Sequence, residues 1–224
     1  MKALKERTGV EACLATVLVG DDPASATYVR MKQNRSKKAG IGSLSVVLPA
    51  ETTTEVLVAE LRKLSSDPKV HGILLQHPVP AHIDERAAFE AIDPAKDVDG
   101  VTMQAFAAMA FGEPGFRSCT PAGILRLLEA YDVRLAGAHA VVIGRSPILG
   151  KPVGMLLLAS NATVTYTHSK TRDLADIVRT ADIVVAAVGK PNFVRGSWLK
   201  PGAVVVDAGY NEGNVGDVHF EEAA

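Results

Sequence analysis

The sequence predicts two α/β domains, each built on a parallel sheet, flanking a cleft. Three observations carry that prediction. Strand-like and helix-like segments alternate along the 224 residues, the pattern of parallel strands joined by crossover helices. The alternation comes in two series, broken at "SCTPAG" (118–123), so residues 1–120 and 121–224 read as separate domains meeting near 118–122. The runs are short and apolar, and Ile73-Leu74-Leu75 reads as a buried strand.

Each element has its local reason. "ACLATVLVG" (12–20) is a β-rich run ending on glycine. Asp22 then supplies an N-cap and Pro23 suits the first helical position, and that helix runs on to Gly40. Its apolar stripe is expected to hold Tyr28 and Met31. "SLSVVLP" (43–49) is a second strand, and 52–67 is a threonine-capped helix with Val56, Leu57, Leu61 and Leu64 at helical spacing. "VHGILLQHP" (70–78) is the third strand, followed by a helix near 84–92 and the loop "DPAKDVDG". In the second series a helix covers 121–131, strands fall at 139–144, 162–169, 182–189 and 202–211, and helices at 150–160 and 171–181.

Composition bounds the function. Hydrophobic residues make up 47% and charged residues 22%, ordinary for a soluble protein with a real core. A net charge of −1 provides no basic field for nucleic acid or an anionic membrane. No apolar run reaches the roughly 18 residues of a membrane helix, and the N-terminus lacks a signal-peptide core. Cys13 and Cys119 form no framework, which points to a reducing, cytoplasmic setting. The histidines show no HExxH spacing, so no metal site is expected; His71, His82, His139 and His219 read as ordinary. Cys119 reads as a linker cysteine.

In the second domain, the strand "HAVVIG" runs into "GRSPILGKPV", the strand–glycine–helix junction where a pyrophosphate meets backbone N–H groups and a helix N-terminus. The domain is therefore read as a Rossmann-type NAD(P)-binding domain. Its departures from G-x-G-x-x-G are Ser146 at the second glycine and Gly150 one residue late, and a tight turn without ligand fits the same letters. The next strand ends on His168-Ser169-Lys170, not on the acid that grips a ribose 2′-hydroxyl. With Arg145 beside the first glycine, that chemistry suits the 2′-phosphate of NADP. Taken singly, Arg145 and Lys170 are also ordinary solvated charges.

In the first domain, Tyr28 and Lys32 lie four residues apart on one helix face. A lysine at a helix margin usually snorkels to solvent. Yet Gln76 and His77 emerge where the third strand ends, before Pro78 and Pro80, at the edge where parallel sheets hold ligands. Lys32, Gln76, His77 and the loop "KDVDG" (96–100) are expected to rim one crevice.

The ordered motifs "YVRMK", "GILLQHPVP", "PAKDVDG", "CTPAG", "VVIGRSPILGKPV", "THSKT" and "VGDV" together resemble the bifunctional methylenetetrahydrofolate dehydrogenase/methenyltetrahydrofolate cyclohydrolase family. The resemblance covers essentially the whole chain. It implies oxidation of 5,10-methylenetetrahydrofolate with NADP, then hydrolysis of the methenyl product to 10-formyltetrahydrofolate, in a homodimer. Lys32 matches the catalytic lysine, Gln76 its hydrogen-bonding partner, Tyr28 the tyrosine beside the pterin and Asp99 the carboxylate that holds the pterin. Leu75 and the His77 backbone join the substrate site, and Asp97 reads as a structural loop carboxylate. Gly144, Arg145, Ser146 and Ser169 match the NADP contacts, and Tyr210 stands where the family more often has isoleucine near the nicotinamide. A neutral lysine would take a proton from the attacking water or its adduct, and Gln76 would aim it without adding charge.

Family members extend further at both ends, which implies a fragment that holds NADP better than folate. The sequence leaves two rivals: a nucleotide-binding-only remnant of the same family, and a shikimate dehydrogenase-like oxidoreductase with the same layout.

Overall fold

The computed structural model describes Met1–Ala224, the side chains of Lys2 and Ala24 excepted. Its contacts divide the chain into two compact units, Met1–Ala105 and Phe106–Ala224. Among the described residues, no helix is long and apolar enough to cross a membrane.

The first unit holds helices α1 (Lys2–Thr8), α2 (Pro23–Lys38), α3 (Thr54–Ser66) and α4 (Glu85–Phe89), and strands β1 (Cys13–Val19), β2 (Gly42–Leu48) and β3 (Gly72–Leu75). The sheet is parallel in the order β2-β1-β3, with Val17 opposite Leu75. The Asp22 carboxylate caps α2 by accepting the Ser25 N–H at 2.8 Å, and the chain turns out of the helix through Gly40 at φ 72°. Thr53 caps α3, which buries Leu57, Leu61 and Leu64.

Two expected stripes are corrected. Tyr28 and Met31 are 42% and 53% exposed, whereas Ser25, Val29 and Ser36 are the buried ones among the described side chains of α2. Small side chains let that helix lie close to the sheet, and Tyr28, one residue before Val29, sits about 100° around the axis. Val56 is likewise 53% exposed, because the buried line of α3 runs through Leu57, Leu61 and Leu64 and Val56 falls one position behind it. The short helix α1 was not foreseen. Nor was α5 (Met103–Phe111), an apolar stretch without clear periodicity within which the two units divide.

The second unit continues with α6 (Cys119–Ala130), β4 (His139–Ile143), α7 (Gly150–Ala159), β5 (Thr163–Thr167), α8 (Leu174–Arg179), β6 (Ile183–Ala186), β7 (Val204–Asp207) and α9 (Phe220–Ala223). Its sheet is parallel, in the order β5-β4-β6-β7. Successive strand residues face opposite ways. Val142, Ile183 and Val185 pack with Ile124, Leu128, Val153 and Leu157 on one face. Val141, Ile143 and Val184 pack with Val178, Val194 and Val218 on the other. A sheet covered on both faces offers only its C-terminal edge to a ligand.

Candidate active site

In the first unit, β1 is the central strand and leads directly into α2, which places Lys32 over the edge where β3 ends. Gln76 follows β3 and stays in the sheet through its own N–H, which donates to the Val17 carbonyl at 2.8 Å. The Gln76 side chain is buried and engaged at both ends. Its Nε2 donates to the His77 carbonyl at 2.7 Å, which leaves Oε1 to accept Lys32 Nζ at 3.1 Å. This fixes the amide the right way round: a flipped amide would set its NH₂ against an amine donor and its oxygen against a carbonyl. The expected meeting of Lys32 and Gln76 is therefore present in the structure.

Asp97 is wholly buried and pairs with Ile73 as an isolated parallel bridge beside β3. Its carboxylate accepts the N–H groups of Val101 at 3.1 Å and Thr102 at 2.8 Å, so it closes the "DVDG" turn as a structural carboxylate. Asp99 lies two residues further on, half-buried, in the segment that this turn fixes. Leu75 is buried in the sheet. Tyr28 stands on the same side of α2 as Lys32, one turn earlier. The His77 ring turns to α4, where Nδ1 pairs with Glu85 and the ring lies 6.5 Å from Phe89. What His77 offers at the sheet edge is its backbone.

In the second unit a cavity of about 470 Å³ opens at the ends of β4, β5 and β6. Gly144, Arg145, His168, Ser169, Thr171 and Lys190 line it, against an apolar wall that includes Val188, Phe193 and Trp198. No carboxylate is among its lining residues. The junction glycines are steric necessities: a Cβ on Gly144 would lie 2.2 Å from the Ala187 carbonyl oxygen, and one on Gly150 would lie 2.5 Å from that of Gly144. Gly150 thus gives the close helix–strand approach of the last fingerprint glycine, although it comes one residue late.

Ser146 is not among the cavity-lining residues. Its hydroxyl accepts the Leu149 and Gly150 N–H groups at 3.1 and 3.2 Å, which holds the entry of α7. The His168–Thr171 turn is closed twice, by the Thr171 N–H to the His168 carbonyl and by the His168 N–H to the Thr171 hydroxyl, both at 2.8 Å. That turn presents Ser169. Lys170 lies outside the lining; the cation present instead is Lys190, with Nζ 5.5 Å from the Phe193 ring centre. Tyr210 follows β7, exposed and outside the lining. Sequence reading missed Thr171, Val188 and Lys190. The glycine after "DIVVAAV" was the one available sign of another strand exit at this edge.

The residues fit a dinucleotide with a 2′-phosphate. A glycine junction opens a helix, an arginine fork and hydroxyls stand beside it, and no acid competes for a ribose.

Comparison with known proteins agrees with both halves. A family model described as "Tetrahydrofolate dehydrogenase/cyclohydrolase, catalytic domain" matches residues 1–99, and its "NAD(P)-binding domain" counterpart matches 118–224. Bifunctional protein FolD 1 of Streptomyces avermitilis is 72% identical over 218 residues, 97% of this chain and 76% of that protein. The crystal structure of bifunctional FolD from Campylobacter jejuni is similar with a TM-score of 0.94 at 42% identity, over 99% of this chain and 80% of that one. FolD from Trypanosoma brucei, solved with NADP and an inhibitor, gives a TM-score of 0.93 at 38% identity, with the same coverage. The chain belongs to the tetrahydrofolate dehydrogenase/cyclohydrolase family.

Proposed function

We propose that this chain oxidises 5,10-methylenetetrahydrofolate with NADP and hydrolyses the resulting methenyl cation to 10-formyltetrahydrofolate. The observation that carries the reading is the Lys32–Gln76 hydrogen bond of 3.1 Å at the sheet edge, held within a family whose two domains both match.

When bound, NADP supplies the hydride acceptor. The chain's own residues do the rest. Arg145 and Ser169 hold the 2′-phosphate, the Gly144–Gly150 junction admits the pyrophosphate to the start of α7, and the wall of Val188 and Phe193 excludes water. Tyr28 packs on the pterin, Asp99 holds its ring, and Leu75 and the His77 backbone line the substrate. Ser146 acts through the α7 entrance, and Tyr210 lies toward the nicotinamide. In the second step water adds to the methenyl carbon and neutral Lys32 Nζ takes the proton it loses; the C–N5 bond of the adduct then breaks, N5 takes a proton from the Lys32 ammonium, and the hydroxyl proton leaves to solvent as the carbonyl of the 10-formyl product forms. The substrate cation disfavours a neighbouring ammonium, so bound substrate itself promotes the neutral amine. Gln76 aims the lysine and, being uncharged, does not trap it as ammonium.

Residues 1–120 are assigned to folate and 121–224 to the nucleotide, in a cytoplasmic homodimer. Turnover of 5,10-methylenetetrahydrofolate by the purified chain, with NADP and then with NAD, tests the reading. Reduced nicotinamide and 10-formyltetrahydrofolate forming together with NADP support it. Neither product forming, or oxidation of shikimate in place of the folate, refutes it.

A further inference from the structure

Besides Asp97, which closes its own turn, the cyclohydrolase and dehydrogenase chemistry leaves one fully buried carboxylate among the described residues without a role. Asp217 is 0% exposed. Its Oδ2 accepts the N–H groups of Val188 at 2.6 Å and Gly189 at 2.9 Å, and its Oδ1 accepts that of Lys190 at 2.8 Å and Asn211 Nδ2 at 3.1 Å. Three consecutive N–H groups converging on one anion form a backbone nest, with Gly189 at φ 63°. The carboxylate is itself anchored. The N–H groups of Asp217 and Val218 donate to Asp207 at 3.0 and 2.9 Å, where β7 ends, and a Cβ on Gly209 would lie 2.3 Å from the Asp217 carboxyl.

The loop clasped in this way follows β6 and supplies Val188 and Lys190 to the nucleotide cavity. Its N–H groups are spent on Asp217. The cavity therefore meets the Val188 side chain and the Lys190 ammonium there, and not a second set of backbone donors. We propose that Asp217 is a positioning residue for the nucleotide: it fixes 188–190 so that Val188 packs against the bound cofactor and Lys190 directs its charge to a phosphate. The inference rests on the reading of this cavity as the NADP site.

Asp217→Asn tests it. The amide keeps the size but exchanges an acceptor for a donor, so at least one loop N–H loses its partner and the loop must shift. The expected result is a KM and a Kd for NADP raised by roughly tenfold or more, with kcat at saturating NADP near the parent's. Cyclohydrolase turnover, which needs no nucleotide, should stay at the parent's value. In a variant that still melts cooperatively, NADP affinity unchanged overturns the proposal, and so does an equal loss of both activities. If Asp217→Asn gives no cooperative melt, Lys190→Ala carries the test, because the clasp acts partly by presenting that ammonium; NADP binding weakened several-fold supports the proposal and parent binding overturns it. A parent chain that fails to bind NADP refutes the site reading itself, whereas a parent that binds alongside an indifferent variant refutes only the role of Asp217.

Discussion

At the scale of single residues, the decisive contact joins a flexible amine to an amide that cannot turn. Gln76 is held by its backbone to β1 and by its Nε2 to the His77 carbonyl, so Oε1 is a fixed target for Lys32. Neutrality matters as much as direction. Gln76→Glu keeps the shape but adds an anion that favours the ammonium, which would occupy the lone pair the hydrolysis needs. Cyclohydrolase turnover in that variant, followed by loss of the methenyl chromophore, is expected to fall by about tenfold or more, with NADP affinity unchanged. In the other unit, Arg145→Ala would remove the charge-assisted bond proposed for the 2′-phosphate. Its preference for NADP over NAD, read as a ratio of kcat/KM, should drop by roughly tenfold. A ratio equal to the parent's would move the 2′-phosphate elsewhere.

At the scale of elements, what positions Lys32 is the start of α2 and the sheet beneath it. The Ser25 N–H bonded to Asp22 holds that carboxyl below the usual carboxylate range. A carboxyl whose folded pKa is depressed contributes stability above its unfolded pKa and loses it as pH falls through the folded value. The parent's urea midpoint should therefore decline as pH is lowered below about 4, and Asp22→Asn, which still accepts the cap bond but does not titrate, should decline less. Leu61, fully buried on α3, is a plain packing residue, and Leu61→Ala should cost about 2–5 kcal/mol in urea unfolding. Much of this level was legible in the sequence. Asp22-Pro23, Gly40, Thr53 and the short apolar strands each carry a local signal that the structure repeats. The buried face of α2 was not legible, because serines and a valine make the close approach while Tyr28 and Met31, the larger side chains, stay outside. The cap formed by Ser146 and the clasp formed by Asp217 were hidden for another reason. Their partners are backbone N–H groups, and for Asp217 these lie 27 to 29 residues upstream, a distance no local pattern spans.

At the scale of the whole chain, two chemistries are assigned to two units with separate cores and separate sheets. Nucleotide binding should therefore be measurable without folate. NADP at about 100 times its Kd should stabilise the unit that holds it by about 2.7 kcal/mol. Hydrogen exchange should slow at the ends of β4, β5 and β6, where the cavity opens. The same separation makes Lys32→Met the most direct test of the whole account. Lys32 is on α2 in the first unit, and the cavity proposed to hold NADP is lined entirely by residues of the second. Cyclohydrolase turnover and an NADP titration, both made on that one variant, are expected to part company: turnover down by about 10²–10⁴-fold, affinity for NADP equal to the parent's. A variant that hydrolyses methenyltetrahydrofolate at the parent's rate would contradict the assignment of Lys32 as the base.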